Sequence, residues 1–188
     1  MIKFEGVTFA YGEKQVLKDF SLEIENGAHL CLFGESGKCK TTLLRLICGL
    51  EKPQAGEITG IDKKRFSVVF QEDRLMPTLT ALENVAAVTD EQNARQWLER
   101  VGLAENSDKK PSQLSGGMKR RVAIARALAF DADALILDEP FKGLEAELKE
   151  SIAKLVCEYA QNKPVILVTH DEFGMSLAKN HVNLTSES

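Results

Sequence analysis

The chain has 188 residues, with 28 acidic against 24 basic side chains and a formal net charge of −4. Such a length forms one large domain that buries a core without staples, and the acidic balance argues against a nucleic-acid partner held on a basic surface. No run of 18 apolar residues spans a membrane, Met1-Ile2-Lys3-Phe4-Glu5 lacks the build of a signal peptide, and Cys31, Cys39, Cys48 and Cys157 show no C-x-x-C or metal-ligand spacing, as expected of reduced thiols in the cytoplasm.

Taken in order, Ile2 to Phe9 alternates loosely between apolar and polar and predicts an edge-type strand, with a turn at Tyr11-Gly12. Tyr11 is either a lone surface aromatic or a platform for a base. Val16-Leu17 and Phe20 to Ile24 predict a second short strand, and Glu25-Asn26-Gly27 turns the chain into the apolar run His29 to Phe33, a buried strand. The stretch Gly34-Glu35-Ser36-Gly37-Lys38-Cys39-Lys40-Thr41-Thr42 organises the sequence, and it opens into a helix from Thr41 to Ile47 that closes at Gly49. Strand, glycine-bearing loop and helix with a Lys-Thr pair is the layout of a phosphate-binding loop. Backbone N–H groups and the helix N-terminus make an anion site, Lys40 reaches the β- and γ-phosphates and the Thr41 hydroxyl meets Mg²⁺. The pattern wants glycine where Cys39 stands. A Cβ there crowds phosphate, and a positive φ would cost about 1–2 kcal/mol.

After a loop at 51–56, short strands are expected at Glu57-Ile58-Thr59 and Phe66 to Phe70, leaving Gln71 where a strand meets a loop. From 72 to about 112 the character changes. Thr80-Ala81-Leu82-Glu83 reads as a capping box, and Ala94, Trp97, Leu98 and Val101 share one helix face, so this stretch predicts a small helical insert. Gln113-Leu114-Ser115-Gly116-Gly117-Met118 precedes an amphipathic helix through Leu128. Ser-Gly-Gly before a helix is a second anion site or, read plainly, a Ser N-cap with two glycines. Lys119, Arg120 and Arg121 read as a solvated face. Ala134-Leu135-Ile136-Leu137 is apolar throughout, as a central parallel strand is, and ends in Asp138-Glu139. Ligands of open α/β sheets sit at such strand ends, where Asp138 can hold Mg²⁺ through water and Glu139 can activate water. A helix carries Leu148, Ile152, Leu155, Val156 and Tyr159; a strand from Val165 to Thr169 delivers His170; Ala178 to Leu184 reads as a helix end and a short strand. Alternating strands and helices give an α/β fold with a largely parallel sheet.

These pieces, in this order and over nearly the whole chain, resemble the nucleotide-binding subunit of ATP-binding cassette (ABC) transporters. Tyr11 is similar to the adenine-stacking aromatic. Gly34 to Thr42 resemble the Walker A loop except at Cys39, and Gln71 resembles the Q-loop glutamine that senses Mg²⁺ and the membrane partner. Leu114-Ser115-Gly116-Gly117-Met118 looks like the L-S-G-G-Q signature, Leu135 to Glu139 like Walker B with the catalytic glutamate, and His170 like the switch histidine. Gln71 to Val85 resembles importer ATPases for nitrate, sulfonate and taurine-type solutes.

The resemblance implies a P-loop NTPase with an N-terminal antiparallel β part. One ABC ATPase domain would fill 1–188: a core of about 1–71 and 113–188, and a helical subdomain of about 72–112. It implies ATP and Mg²⁺ as ligands, with Thr41, Gln71 and Asp138 at the metal and Glu139, His170, Lys40 and Gln71 in ATP hydrolysis. The P-loop residues Gly34, Glu35, Ser36, Gly37, Lys38, Cys39, Lys40, Thr41 and Thr42, with Tyr11, would bind the nucleotide. Ser115, Gly116, Gly117 and Met118 would face the ATP held by a second cassette. Integral membrane permease subunits, and indirectly a solute-binding protein, are the implied partners, on the inner face of the cell membrane; no nucleic acid is implied. The alternative is a degenerate subunit that binds nucleotide weakly because of Cys39 and acts structurally. A soluble ABC protein working on ribosomes or DNA fits less well, since those families carry tandem cassettes or long inserts. Three departures stand out: Cys39, the segment Phe141-Lys142-Gly143-Leu144-Glu145 in place of F-S-A-L-D, and a chain that ends soon after His170. Cys39, between two lysines at a helix start, is also expected to be either an accessible, reactive thiolate or an inert substitution.

Overall fold

The computed structural model describes residues 1–34, 37–161 and 163–184. Two sheets form the frame. Strands β1 (Ile2–Tyr11), β2 (Lys14–Ile24) and β4 (Ala55–Thr59) make an antiparallel sheet in the order β2-β1-β4. Strands β3 (His29–Phe33), β5 (Phe66–Val69), β6 (Ala134–Asp138), β7 (Val165–Val168) and β8 (Asn180–Asn183) make a second sheet in the order β5-β6-β7-β3-β8, every pair parallel. The first strand is therefore central in its sheet, not an edge. It pairs on both sides and buries Ile2, Phe4, Val7 and Phe9. The second strand runs unbroken through Asp19, whose φ of +48° lies at an irregularity of the ladder.

The short parallel strands are apolar throughout because both faces are covered. On β6 and β7 the side chains divide by alternation. Leu135, Leu137, Val165 and Leu167 join one core with helices α2 (Ala81–Ala86), α3 (Glu91–Arg100), α4 (Gly116–Ala129) and α5 (Ala146–Ala160). Ile136, Ile166 and Val168 join the other core, shared with the antiparallel sheet and with Leu43, Leu46 and Ile47 of α1 (Gly37–Ile47). A short helix, α6 (Glu172–Ser176), precedes β8, so the last helix ends before Ala178.

Local chemistry sets the boundaries. Thr80 caps α2 in the expected box: its hydroxyl accepts from Glu83 N at 3.1 Å, and Thr80 N donates to the Glu83 carboxylate at 2.7 Å. Ala94 and Leu98 of α3 are fully buried. Helix α1 starts four residues ahead of the expected Thr41, which places Cys39 and Lys40 inside its first turn.

Candidate nucleotide site

Because the second sheet is parallel, β3, β5, β6 and β7 all end on one edge, and the chemistry-bearing residues leave the sheet together. The register is explicit: Leu32 pairs with Val168, Val168 with Asp138, and Leu137 with Val69. One step beyond these pairs lie the P-loop, Thr169-His170, Glu139 and the approach to Gln71.

At the end of β3, Gly34 has φ +138°, and a Cβ built on it would sit 2.3 Å from the Leu184 carbonyl oxygen. Only glycine makes that turn without displacing backbone. Helix α1 then carries Lys40, which is 5% exposed. Its Nζ donates to the Gly34 carbonyl and lies 3.0 Å from His170 Nε2. Glu35 and Ser36 lie outside the described residues; Gly37 and Lys38 open α1. Thr41 faces a cleft of about 460 Å³ that Gln71 and Asp138 also line, with Arg45, Glu51, Phe70 and Arg74 around them. Thr42 is buried.

Asp138 closes β6. Burial and the neighbouring Glu139 carboxylate push its pKa above the ordinary carboxylate value, while Arg120 and Lys40 oppose that rise. Glu139 has a left-handed backbone, φ +49°, a conformation costing about 1–3 kcal/mol in a non-glycine residue. Three hydrogen bonds hold it there. Its N–H donates to Val168 O at 2.8 Å, and its carboxylate accepts from the Thr169 hydroxyl at 3.1 Å and from His170 N at 3.2 Å. Thr169, invisible as a functional residue in the sequence, is thus the direct support of Glu139. It is itself 1% exposed and accepts from Asp171 N at 3.0 Å.

Tyr11 ends β1 with 41% of its surface exposed, edge-on to Phe9 at 5.0 Å, and its hydroxyl accepts from Arg45 at 3.4 Å. Ser115 caps α4, its hydroxyl accepting from Met118 N at 3.2 Å, so the N-cap reading describes the local structure. Ser115 and Gly116 are exposed, whereas Met118 packs against the core. The two glycines face a second cleft of about 710 Å³ together with Gln71, Glu72, Asp73, Arg120, Lys142 and Gly143.

Two expectations are overturned. Cys39 crowds no phosphate with a strained backbone, since it is an ordinary residue of α1's first turn and is absent from the positive-φ residues. Its side chain points the other way. It is 4% exposed in the core under the antiparallel sheet, and its Sγ donates to Val16 O at 3.4 Å. Of the two readings of its reactivity, a buried, hydrogen-bonded side chain fits the inert substitution and not the accessible thiolate. Nor are Arg120 and Arg121 part of a solvated face with the half-exposed Lys119: Arg120 is 5% exposed, and Arg121 donates to Val101 O at 2.9 Å and Gly102 O at 3.0 Å.

Residues 17–142 match the ABC transporter family. The chain belongs to that family. It is 42% identical over 177 residues to an aliphatic sulfonates import ATP-binding protein of Rhodococcus jostii, a match covering 90% of this chain and 65% of the relative. It is 44% identical over 176 residues to another of Paraburkholderia xenovorans, covering 90% and 70%. The glutamate/aspartate import ATP-binding protein of Escherichia coli is 38% identical over 199 residues, covering 94% and 83%. The chain thus spans about two thirds of the length of the sulfonate-import relatives. Among solved structures, a dimeric ATP-binding cassette in a post-hydrolysis state with ADP and Pi superposes with a TM-score of 0.88 at 31% identity, over 99% of this chain and 95% of that one. This ABC chain has the P-loop ATPase fold, α/β with a parallel main sheet, and it is an ABC ATPase. The reading of it as a degenerate subunit rested on Cys39 meeting phosphate, and that ground is gone.

Proposed function

We propose that this ABC chain is the ATP-binding and hydrolysing subunit of a solute importer, working as a pair of cassettes beneath membrane permease subunits. The observation that carries the reading is the convergence of Lys40, Glu139, Thr169 and His170 at one sheet edge through direct contacts.

In this reading the α1 N-terminus and the Lys40 ammonium take the β- and γ-phosphates, and Tyr11 stacks on the adenine. The donor set fits a hard, oxygen-seeking cation: the Asp138 carboxylate, the Thr41 hydroxyl and the Gln71 amide line one cleft. Mg²⁺ held by Thr41, Gln71 and, through water, Asp138 would neutralise phosphate charge when bound. Glu139 orients a water and accepts its proton as the water oxygen bonds to the γ-phosphorus. The bond to the bridging oxygen breaks, and ADP leaves. Thr169 and the His170 N–H hold Glu139 in place for that step, while the His170 ring and Lys40 face the γ-phosphoryl group.

A second cassette follows from the other anion site. A Cβ on Gly116 would meet nothing within 4 Å of this chain. The fold therefore makes no demand for glycine there, whereas a phosphate arriving from another chain would. ATP would close the pair and hydrolysis reopen it, with Gln71 and the helical subdomain of about 72–112 passing the motion to the permease. No helix among the described residues is long and apolar enough to cross a membrane. In this reading the chain meets the membrane through the permease at the inner face, and a solute-binding protein acts upstream. The sulfonate and amino-acid importer relatives support import as the direction. The test is a Mg-ATP titration of the purified full chain with phosphate release as the readout. Saturable binding and release that Glu139→Gln abolishes is expected; no release at saturating Mg-ATP refutes the reading.

A further inference from the structure

We propose that Arg120 is a positioning residue of the nucleotide site. Its guanidinium locks the backbone that carries Gln71 to the helix that opens with Ser115-Gly116-Gly117, so the two phosphate-facing segments of one chain move as one piece. Nothing in the sequence singles out this arginine, which sits in a basic run.

The contacts are specific. Arg120 Nη1 donates to Phe70 O at 2.6 Å, Nη2 donates to Gln71 O, and Nε lies 3.1 Å from Asp73 Oδ1. Two nitrogens of a planar fork thereby donate to successive carbonyls of one loop, and the third lies in ion-pair range of Asp73 without a hydrogen bond to its Oδ1, a two-pronged geometry that a lysine ammonium does not reproduce. Burial makes the tie stiff, because a charge 5% exposed must keep its partners. The opposing carboxylate is partly buried too: desolvation holds the Asp73 pKa above the ordinary carboxylate value against the smaller opposing pull of Arg120, Lys119 and Arg126.

The loop needs holding. Arg74 has φ +45°, a left-handed conformation uncommon in non-glycine residues. Arg126, six residues further along α4 and so about 9 Å along its axis, donates to Asp73 O at 3.2 Å and Arg74 O at 3.1 Å. Asn84, fully buried, fixes the far end through Met76 and Leu79. Arg126 and Asn84 grip the distal part, from Asp73 onward, and Arg120 alone among these grips the Gln71 backbone; Gln71 and Arg74 both line the cleft with Thr41 and Asp138. With its donors committed to the loop, Arg120 acts through Gln71. The ligand roles of Gln71 and Ser115 rest on the function proposed above; the mechanical tie rests on contacts within this chain.

The experiment compares the wild-type full chain with Arg120→Lys, which keeps the charge and loses the fork. A second variant, Arg120→Gln combined with Asp73→Asn, removes both members of that ion pair together should the lysine variant fold poorly. Amide exchange is followed at 70–76 and 113–118, free and with Mg-ATP, alongside kcat and KM. In the free chain, exchange at 70–76 should rise at least tenfold in either variant, with 81–87 unchanged. With Mg-ATP, wild type should protect both segments and the variants only 113–118. The KM for ATP should stay within threefold while kcat falls at least tenfold. Variants whose 70–76 exchange and kcat both stay within twofold of wild type overturn the inference. A wild type that neither releases phosphate nor gains protection with Mg-ATP refutes the proposed function instead, and the free-chain exchange still decides the tie.

Discussion

Two regions of this ABC chain meet phosphate in the proposed function, and they are built in opposite ways. At the P-loop edge the ammonium-bearing and carboxylate side chains that meet are braced by their own chain: Lys40 against Gly34 and His170, Glu139 against Thr169 and the His170 N–H. At the start of α4, Ser115 makes a cap and Gly116 faces open space. The two glycines at these sites show the contrast best. Gly34 is demanded by the fold, because a Cβ would strike the Leu184 carbonyl at 2.3 Å; Gly116 is not, because a Cβ there meets nothing. A residue type that the fold does not require is best explained by something outside the fold. On the proposed function, one site is pre-organised around the chain's own nucleotide and the other is shaped for a ligand that a partner delivers.

The sharpest way to break this contrast is Gly116→Asp. An acid in a helix's first turn is favourable by about 0.3–1 kcal/mol, so the melting temperature should hold or rise slightly, while turnover falls at least a hundredfold through repulsion of the partner's phosphate. Lost stability with intact turnover would invert the comparison. Next is Gly34→Ala, where a positive-φ penalty of about 1–2 kcal/mol adds to the clash. Chemical denaturation should show a loss of about 2 kcal/mol or more, reported at once as a lower transition midpoint. Cys39→Gly is smaller and directed at the same region. Deleting a buried side chain and placing glycine in a helix should cost about 1–2 kcal/mol, with no gain in ATP affinity by calorimetry. A large gain would restore the crowding argument. Mild alkylation with mass-spectrometric mapping should correspondingly label exposed Cys157 before buried Cys39.

The smallest effect lies beside the switch. Lys149 donates to Asp171 at 2.7 Å and holds its carboxyl below the ordinary value of 3.8. A lowered folded pKa means this contribution is present above the ordinary carboxylate range and is lost as pH falls through the folded value. With both side chains partly solvated, its size is under about 1 kcal/mol. Lys149→Met should flatten the stability curve below about pH 4 by that amount and leave it unchanged in slope at neutral pH.

Much of this was legible in the chain itself. The all-apolar runs at 134–137 and 165–168 required a sheet covered on both faces, and Asp138, Glu139 and His170 at their ends required a shared edge; strand polarity did the rest. The Thr80–Glu83 box was legible because capping is local. What stayed hidden depended on direction. The sequence placed Cys39 beside phosphate, but it could not show that the helix starts at Gly37 and turns that side chain into the core. It placed Arg120 in a basic run, where composition suggests solvent; burial came from a loop fifty residues away. Thr169 was unreadable because its role exists only through Glu139, just past the end of a neighbouring strand.

The most direct test is sedimentation velocity on the Glu139→Gln full chain, with and without saturating Mg-ATP. The divided-site account expects a monomer that becomes a dimer with nucleotide, and a Glu139→Gln/Gly116→Asp chain that binds nucleotide yet stays monomeric. A Glu139→Gln chain that binds Mg-ATP and never dimerises, or a double variant that dimerises as well as the single one, would contradict it.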